Sequence, residues 1–129
     1  MKSYKKYYII PEEPEIVYKA LTMEITIQLW TGEEAVMSDE PETEFEIFGG
    51  AICGMNLEFE EGKKIVQEWY FGEQDDPSIV TIKLFPNSKG TSIELNHTNI
   101  PDEAYNDIVS GWDRDYFGAL VDFFTDEPD

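Results

Sequence analysis

The sequence predicts an α+β protein in which two short helices and a long C-terminal helix pack across a curved antiparallel sheet of about six strands. Three observations lead to this class. Residues 44–97 alternate apolar and polar side chains with a period of two, residues 105–123 repeat apolar side chains every three or four positions, and short turns separate the strands. Strands joined by short turns are antiparallel, and a helix with one apolar stripe covers one face of a sheet.

The first third of the chain predicts one strand and two short helices. Residues 3–10 are rich in Tyr and Ile and end at Pro11, which is typical of a strand. Pro14 suits the first turn of a helix, and apolar residues then recur at helical spacing. A second short helix or irregular turn is predicted over residues 23–30, ending at Thr31-Gly32.

The middle of the chain, after an acidic loop at residues 33–44, predicts five consecutive antiparallel strands. Turn residues separate them at 49–50, 61–63, 72–78 and 86–90. One strand face is apolar and the other carries mostly charged residues, so one sheet face is covered and the other is in water. The parity of the pattern predicts that the covered face includes Ile47, Cys53, Met55, Leu57, Trp69, Phe71, Ile82, Leu95 and His97.

The C-terminal segment switches to helical periodicity after Pro101, which suits a first helical position. Its apolar stripe comprises Tyr105, Ile108, Val109, Trp112, Tyr116, Ala119, Leu120 and Phe123. Gly111 and Gly118 interrupt the helix, and each costs about 1 kcal/mol relative to Ala. They indicate either a close approach of helix to sheet or a kink that shapes an opening. Residues 125–129 are expected to be a frayed tail of a single domain spanning residues 1–129.

The composition excludes several classes of partner. The 129 residues include 28 acidic and 9 basic side chains, which give a formal charge of −19. Nucleic-acid binding depends on Lys and Arg that displace counterions, and anionic membranes also attract basic surfaces, so neither partner is expected. The 3 Trp, 7 Tyr and 8 Phe supply the core that disordered chains lack.

A cytoplasmic location is expected from the covalent chemistry. Cys53 is the only cysteine, so no internal disulfide can form. The apolar run after the basic N-terminus stops at Pro11, which is too short for a signal peptide. No stretch approaches the roughly 18 apolar residues that cross a bilayer.

A helix that lies across a bent sheet can leave a concave apolar pocket, which is where small molecules bind. The candidate lining for a hydrophobic or aromatic ligand is Trp30, Ile47, Cys53, Met55, Leu57, Trp69, Phe71, Ile82, Leu95, His97, Trp112 and Tyr116. The alternative is that these residues simply fill the core, because large apolar side chains are usually buried for packing.

Several short segments resemble a known family in their order and spacing. They are Tyr8-Ile9-Ile10-Pro11, Pro14 to Thr22, Phe48-Gly49-Gly50, Gly54, Lys64 to Trp69, Gly90-Thr91, Gly111-Trp112 and Tyr116-Phe117. Together they resemble the SRPBCC (START-like) superfamily, and within it the C-terminal domain of the activator of heat-shock protein 90 ATPase and its stand-alone bacterial homologues. The resemblance implies a helix-grip fold of the START and birch-pollen-allergen type, and it names a chaperone as a partner.

Catalytic chemistry has little support in the sequence. His97 is the only histidine, which excludes multi-histidine zinc sites, and no phosphate-binding glycine loop or calcium loop occurs. We therefore expect no catalytic residue, no metal and no cofactor. Three hypotheses follow: a non-enzymatic module that binds a small hydrophobic molecule, a co-chaperone that binds and modulates a chaperone ATPase, and a START-like cyclase or hydrolase that uses His97.

Overall fold

Six antiparallel strands form one sheet in the computed structural model of the chain, which describes residues 1–72 and 74–125. The strands are β1 (Lys2–Ile10), β2 (Thr43–Ile47), β3 (Ile52–Glu60), β4 (Lys64–Trp69), β5 (Ser78–Asn87) and β6 (Gly90–Ile100). Their order across the sheet is β1-β6-β5-β4-β3-β2. Consecutive strands from β2 to β6 are neighbours, and β1 adds beside β6, as expected for the predicted helix-grip fold.

Two short helices, α1 (Pro14–Thr22) and α2 (Glu24–Thr31), follow the first strand. Pro14 lies in the first turn of α1, where its missing N–H costs nothing. Gly32 ends α2 in the left-handed region at φ 73°, and its N–H donates to the Gln28 carbonyl at 3.0 Å. Both predicted helices are confirmed.

The predicted C-terminal helix is present, but it contains a widened turn. A 3₁₀ turn (Asp102–Ala104) leads into α3 (Tyr105–Gly111), a π-helical turn (Trp112–Tyr116) and α4 (Phe117–Thr125). At 3.6 residues per turn, positions five apart differ in direction by about 140°, so an uninterrupted α-helix would separate Trp112 from Phe117. The π turn places both of these residues inward, at 1% and 0% exposure. Of the predicted frayed tail, residues 126–129 lie outside the described residues.

The two glycines of this segment have different structural roles. A Cβ at Gly118 would lie 2.4 Å from the carbonyl oxygen of Asp113, within the same helical segment. Glycine is therefore required by the π turn itself. A Cβ at Gly111 would meet no atom within 4 Å. The expected close approach of helix to sheet is wrong for both positions.

The predicted inward faces of β4, β5 and β6 are confirmed by burial. The core they form with the helices includes Ile65, Trp69, Val80, Ile82, Leu84, Ile93, Leu95, Trp112, Phe117 and Leu120. Ion pairs occupy the opposite face, where Lys64 contacts Glu58 at 2.6 Å and Lys83 contacts Glu94 at 3.9 Å. In the described part of the chain, no helix is long and apolar enough to span a bilayer.

The predicted facing of β3 is wrong. Directly opposite residues of neighbouring antiparallel strands share a face, and inward Trp69 lies opposite Gly54. Cys53 pairs with Glu46 and Met55 pairs with Glu68, so both lie on the outer face. Leu57, predicted to face inward, falls where the register shifts between Asn56 and Glu58, and it is only half-buried.

Polar and glycine residues explain the inverted parity of β3. A Cβ at Gly54 would overlap the backbone carbonyl of Glu68 on β4 and would lie 3.0 Å from the Phe45 ring, so glycine is required where β3 and β4 approach each other closely. Asn56 is fully buried because its amide and carbonyl groups are bonded to Thr43 and Gln67, at 3.2 Å and 3.0 Å. A pattern based on hydrophobicity alone places Gly54 and Asn56 on the wrong face.

Alanine substitutions at the two glycines should have opposite effects on stability. Gly118→Ala should lower the free energy of unfolding by about 1–3 kcal/mol, because its methyl group overlaps the Asp113 carbonyl. Gly111→Ala should raise it by up to about 1 kcal/mol, because the site is helical and unobstructed. Urea unfolding of both variants measures the difference, and equal effects of the two would contradict the assignment of the π turn.

Candidate functional site

An open cleft of about 570 Å³ lies between the C-terminal helical segment, the end of α2 and the connection from β2 to β3. This volume is within the roughly 300–1,000 Å³ typical of small-molecule sites. Its lining is mostly apolar and aromatic, with charged residues at the rim. The residues are Thr31, Glu33, Phe48, Ala51, Ile52, Trp69, Asp107, Ile108, Gly111, Trp112, Arg114, Asp115, Tyr116 and Ala119.

Three aromatic rings form the floor of the cleft. Trp69 of β4 and Trp112 of the π turn are stacked, with ring centroids 4.6 Å apart and planes inclined by 23°. Tyr116 lies beside Trp112 at 4.6 Å between centroids. Offset stacking of this kind is worth about 0.5–1.5 kcal/mol beyond the area buried. The pair therefore joins the C-terminal segment to the centre of the sheet.

A chain of buried hydrogen bonds fixes the ring of Trp112. The indole Nε1–H donates to His97 Nδ1 at 3.0 Å, and His97 Nε2 lies 2.8 Å from Ser78 Oγ. Because Nδ1 accepts the hydrogen bond from Trp112, the imidazole proton is assigned to Nε2, which donates to Ser78. The Ser78 hydroxyl then donates to the Thr98 carbonyl at 3.1 Å. The polar side-chain atoms of Trp112, His97 and Ser78 therefore all have hydrogen-bond partners.

His97 is held neutral by its surroundings. Burial lowers the pKa of His97 to about 4, because the charged imidazolium would lose its hydration. Both ring nitrogens are already engaged in hydrogen bonds. His97 is thus a buried acceptor for Trp112, and it has no lone pair directed at the cleft.

A second chain of hydrogen bonds fixes the ring of Trp69. Its indole Nε1–H donates to Gln67 Oε1 at 3.0 Å, and Gln67 Nε2 donates to Asn56 Oδ1 at 3.0 Å. Asn56 Nδ2 donates in turn to Thr43 Oγ1 and to the Ser38 carbonyl, at 3.2 Å and 3.3 Å. The floor of the cleft is therefore connected to the loop that precedes β2.

The Tyr116 hydroxyl differs from the two indole N–H groups because it makes no hydrogen bond among the described residues. Since no fully enclosed side-chain oxygen in this part of the chain lacks a partner, the hydroxyl oxygen reaches open space. Tyr116 is 5% exposed, lines the cleft, and packs edge-on against Trp30 at 5.1 Å between centroids. Burial raises its pKa, so the hydroxyl keeps its proton. It can donate one hydrogen bond and accept another within the cleft.

Asp113 links the π turn to β1, which is an edge strand of the sheet. Its Oδ1 accepts hydrogen bonds from Tyr8 at 2.6 Å, from Lys6 at 2.8 Å and from Tyr4 at 3.2 Å, all on β1. Burial alone would raise the pKa of Asp113, but these donors outweigh it and the pKa is lowered. The ring of Tyr8 also stacks on Phe117 at 4.5 Å. The helical segment is held at both β1 and β4.

The rim of the cleft is acidic. Glu33 follows α2, Asp107 lies on α3, and Asp115 lies on the π turn. Arg114 is the only basic residue of the lining, and its Nε lies 3.2 Å from Asp115 Oδ1. Within residues 1–72 and 74–125, no three His, Cys, Asp or Glu side chains are grouped closely enough to hold a metal ion.

The predicted lining residues are divided among several places. Trp69, Trp112 and Tyr116 line the cleft, and Trp30 lies behind Tyr116 with its indole N–H donating to the Ala20 carbonyl. Phe71 is half-buried at the end of β4, outside this cleft. Four others, which do not reach the cleft, are fully buried in the core: Ile47, Ile82, Leu95 and His97. Cys53 and Met55 lie on the outer sheet face and Leu57 lies at the register shift of β3, so none of the three reaches the cleft.

The lining predicted from the sequence did not include the charged rim or seven uncharged residues: Thr31, Phe48, Ala51, Ile52, Ile108, Gly111 and Ala119. Phe48 has a left-handed φ of 54°, which no local pattern indicates. The helical members could have been found, because Ile108, Gly111 and Asp115 follow one another at three- and four-residue spacing.

Acid should destabilise the protein through His97 before its carboxylates titrate. The unfolded-state pKa is near 6.5 and the folded value is about 4, so the unfolded chain binds the extra proton between them. Stability should fall by about 3 kcal/mol as pH drops through this window. NMR titration of the single histidine, with urea unfolding of His97→Gln as the non-titrating control, measures this. A midpoint near 6.5 in the folded protein would contradict it.

Known proteins share this fold and part of this sequence. The model of the family described as "Activator of Hsp90 ATPase homolog 1-like protein" matches residues 12–124. An activator of 90 kDa heat shock protein ATPase homolog from Dictyostelium discoideum is 28% identical over 102 residues. The aligned region covers 77% of this chain and 27% of that relative, so the chain spans about a quarter of the relative's length.

Three solved structures superpose over nearly the whole chain. An HSP90 activator from Plasmodium falciparum has a TM-score of 0.84 at 24% identity, covering 98% of this chain and 97% of its own. A Mesorhizobium loti protein has a TM-score of 0.83 at 23% identity, covering 98% and 99%. The Aha1 dimer from Colwellia psychrerythraea has a TM-score of 0.82 at 15% identity, covering 95% of each chain. By its fold and by the match over residues 12–124, the chain belongs to the Activator of Hsp90 ATPase homolog 1-like family.

Proposed function

We propose that this protein is a non-enzymatic binding domain whose cleft holds a small hydrophobic molecule between the sheet and the C-terminal helical segment. The observation that carries the proposal is the unpartnered hydroxyl of Tyr116 above a floor of stacked indoles. Ligand sites combine an apolar concave surface with a few polar groups that orient the ligand. This cleft has both features.

The floor of the cleft is rigid before any ligand binds. The indole N–H groups of Trp69 and Trp112 are both bonded within the protein, and the two side chains are 3% and 1% exposed, so they border the cleft without a free polar atom. Binding that needs no side-chain ordering avoids an entropy cost of about 0.5–1.5 kcal/mol per immobilised side chain. An apolar or aromatic molecule can therefore pack against these rings without rearranging the protein.

The engagement of His97 argues against the hydrolase or cyclase hypothesis. A general base needs an accessible lone pair and a pKa near the working pH. In His97 the Nδ1 lone pair accepts from Trp112, and the pKa is about 4. A binding role explains the same geometry without these conflicts.

The test places a larger side chain in the cleft from the C-terminal helical segment. Gly111 lines the cleft, and a Cβ there would meet nothing within 4 Å, so Gly111→Leu should project a side chain into the empty space without strain. Binding of the neutral fluorophore N-phenyl-1-naphthylamine to the wild type should be detectable by its fluorescence. The variant should bind it about tenfold more weakly or not at all, because the cleft volume is occupied.

The matched control for this test is Ser110→Leu, which adds the same side chain at an exposed neighbouring position outside the lining. It should bind the fluorophore like the wild type. Failure of the wild-type protein to bind, or equal binding by Gly111→Leu, would contradict the proposed site.

A co-chaperone role is the second candidate, favoured by the named relatives and by an exposed apolar surface. Ile25 and Leu29 lie one turn apart on α2 and are 64% and 66% exposed. Exposed apolar side chains that adjoin one another can form part of a protein contact. The relative from D. discoideum and the structure from P. falciparum are both described as activators of heat-shock protein 90.

The co-chaperone role predicts a specific effect of changing α2. Ile25→Gln with Leu29→Gln should reduce binding to purified heat-shock protein 90, and any stimulation of its ATPase rate, by about tenfold. Ile9→Gln with Phe85→Gln is the control, because these apolar residues are also exposed, at 43% and 46%, and lie on the outer sheet face. Absence of binding by the wild type, or equal loss in both variants, would count against this surface.

A further inference from the structure

We propose that the molecule bound in the cleft is an apolar or aromatic compound that carries a cationic amine. The amine lies at the acidic rim while the apolar body stacks on the aromatic floor. This inference rests on the proposed ligand-binding function, and it names the chemical class of the ligand. It follows from the charges around the opening, from the hydroxyl of Tyr116 and from the aromatic lining of the cleft.

The rim has more negative than positive charge. Three carboxylates, on Glu33, Asp107 and Asp115, stand against the single guanidinium of Arg114. Arg114 is paired with Asp115 through its Nε at 3.2 Å, so it is partly neutralised. The carboxylates of Glu33 and Asp107 are left without an ion-pair partner among the described residues. A cation at the opening would meet unbalanced negative charge from two sides.

The interior of the cleft also suits a cation with an aromatic or aliphatic body. Half-buried Phe48 is the most accessible aromatic ring of the lining, and an aromatic ring attracts an ammonium group within about 6 Å of its centre. The Tyr116 side chain is 5% exposed, and its hydroxyl, which makes no hydrogen bond among the described residues, can accept one from an amine N–H. The acidic rim and this hydroxyl are independent observations that select the same group.

The charge of the whole molecule acts in the same direction. A formal charge of −19 gives a negative potential that concentrates cations near the surface and repels anions. Ligands with a carboxylate or phosphate group, such as fatty acids and phospholipids, would be repelled by this potential and by the rim carboxylates. An apolar interior with an acidic mouth therefore discriminates by charge among molecules with the same apolar body.

The experiment compares three compounds that share one aromatic body and differ in charge. Naphthylethylamine is cationic, ethylnaphthalene is neutral and naphthylpropanoate is anionic. Titrations followed by protein NMR and tryptophan fluorescence give their dissociation constants. The amine should bind about tenfold or more tightly than the carboxylate, and this difference should shrink as salt screens the rim.

Charge-removing variants locate the effect. Glu33→Gln with Asp107→Asn should weaken binding of the amine by about threefold to tenfold and leave ethylnaphthalene unchanged. Glu44→Gln with Glu68→Gln removes the same charge from the outer face and serves as the control. That variant should bind the amine like the wild type. Equal weakening in both variants would overturn a local role of the rim.

The outcomes separate this inference from the proposed function. If none of the three compounds binds, the ligand-binding function itself fails, and the inference fails with it. If ethylnaphthalene binds but the amine binds no more tightly than the carboxylate, the cleft is a ligand site and only the preference for a cation is overturned.

Discussion

The position of Trp112 is the constraint on which the rest of the structure depends. Its ring is almost fully buried, it stacks on Trp69 in the centre of the sheet, and its only polar atom donates to His97. Truncation of a buried Trp to Ala typically costs about 3–5 kcal/mol. Because Trp112 is the first residue of the π turn, its burial sets both the depth and the rotation of the helical segment that follows.

The π turn allows one helical segment to hold two distant parts of the sheet. Trp112 contacts β4, while the next residue, Asp113, receives three hydrogen bonds from β1. Gly118 makes this geometry possible, since any side chain there would overlap the Asp113 carbonyl. π turns occur often at functional sites, and here the widened turn adjoins the cleft. The helix therefore closes over β1 and remains open toward β2 and β3.

Two buried polar chains give the aromatic floor a single arrangement. A partly satisfied buried polar network is costly, whereas a complete one fixes the groups that it connects. Both hydrogen-bond networks are complete, and in the described ranges no buried side-chain nitrogen or oxygen lacks a partner. The rings are thus held by directional bonds as well as by packing. A site formed in this way is preorganised, which is why we assign it a binding role.

Much of the fold could be predicted from the sequence, because β4, β5 and β6 follow a simple alternation and Pro14 and Gly32 mark helix ends. The family resemblance stated from short segments such as Gly111-Trp112 is also confirmed. The facing of β3 could not be predicted, since it depends on the buried Asn56 finding partners in Gln67 and Thr43. The π turn could not be predicted either, because its cause is a set of tertiary contacts at Trp112, Asp113 and Phe117.

The candidate site was the least predictable part of the molecule. Periodicity identifies which side chains face inward, but it does not separate a filled core from a cleft. Leu95 and Trp69 are both buried and both face the helix, yet only Trp69 borders the open space. That difference depends on where the helical segment leaves the sheet, which is a property of the assembled structure.

We propose that the aromatic floor is preformed and binds an apolar molecule without rearranging. The most direct measurement is the ¹H–¹⁵N spectrum of the three tryptophan indole N–H groups, with their hydrogen exchange, during titration with N-phenyl-1-naphthylamine. The indole signals of Trp69 and Trp112 should shift while both N–H protons stay protected from exchange. The signal of Trp30, which lies behind Tyr116, should shift less. Unperturbed Trp69 and Trp112 signals, or loss of their protection on binding, would contradict it.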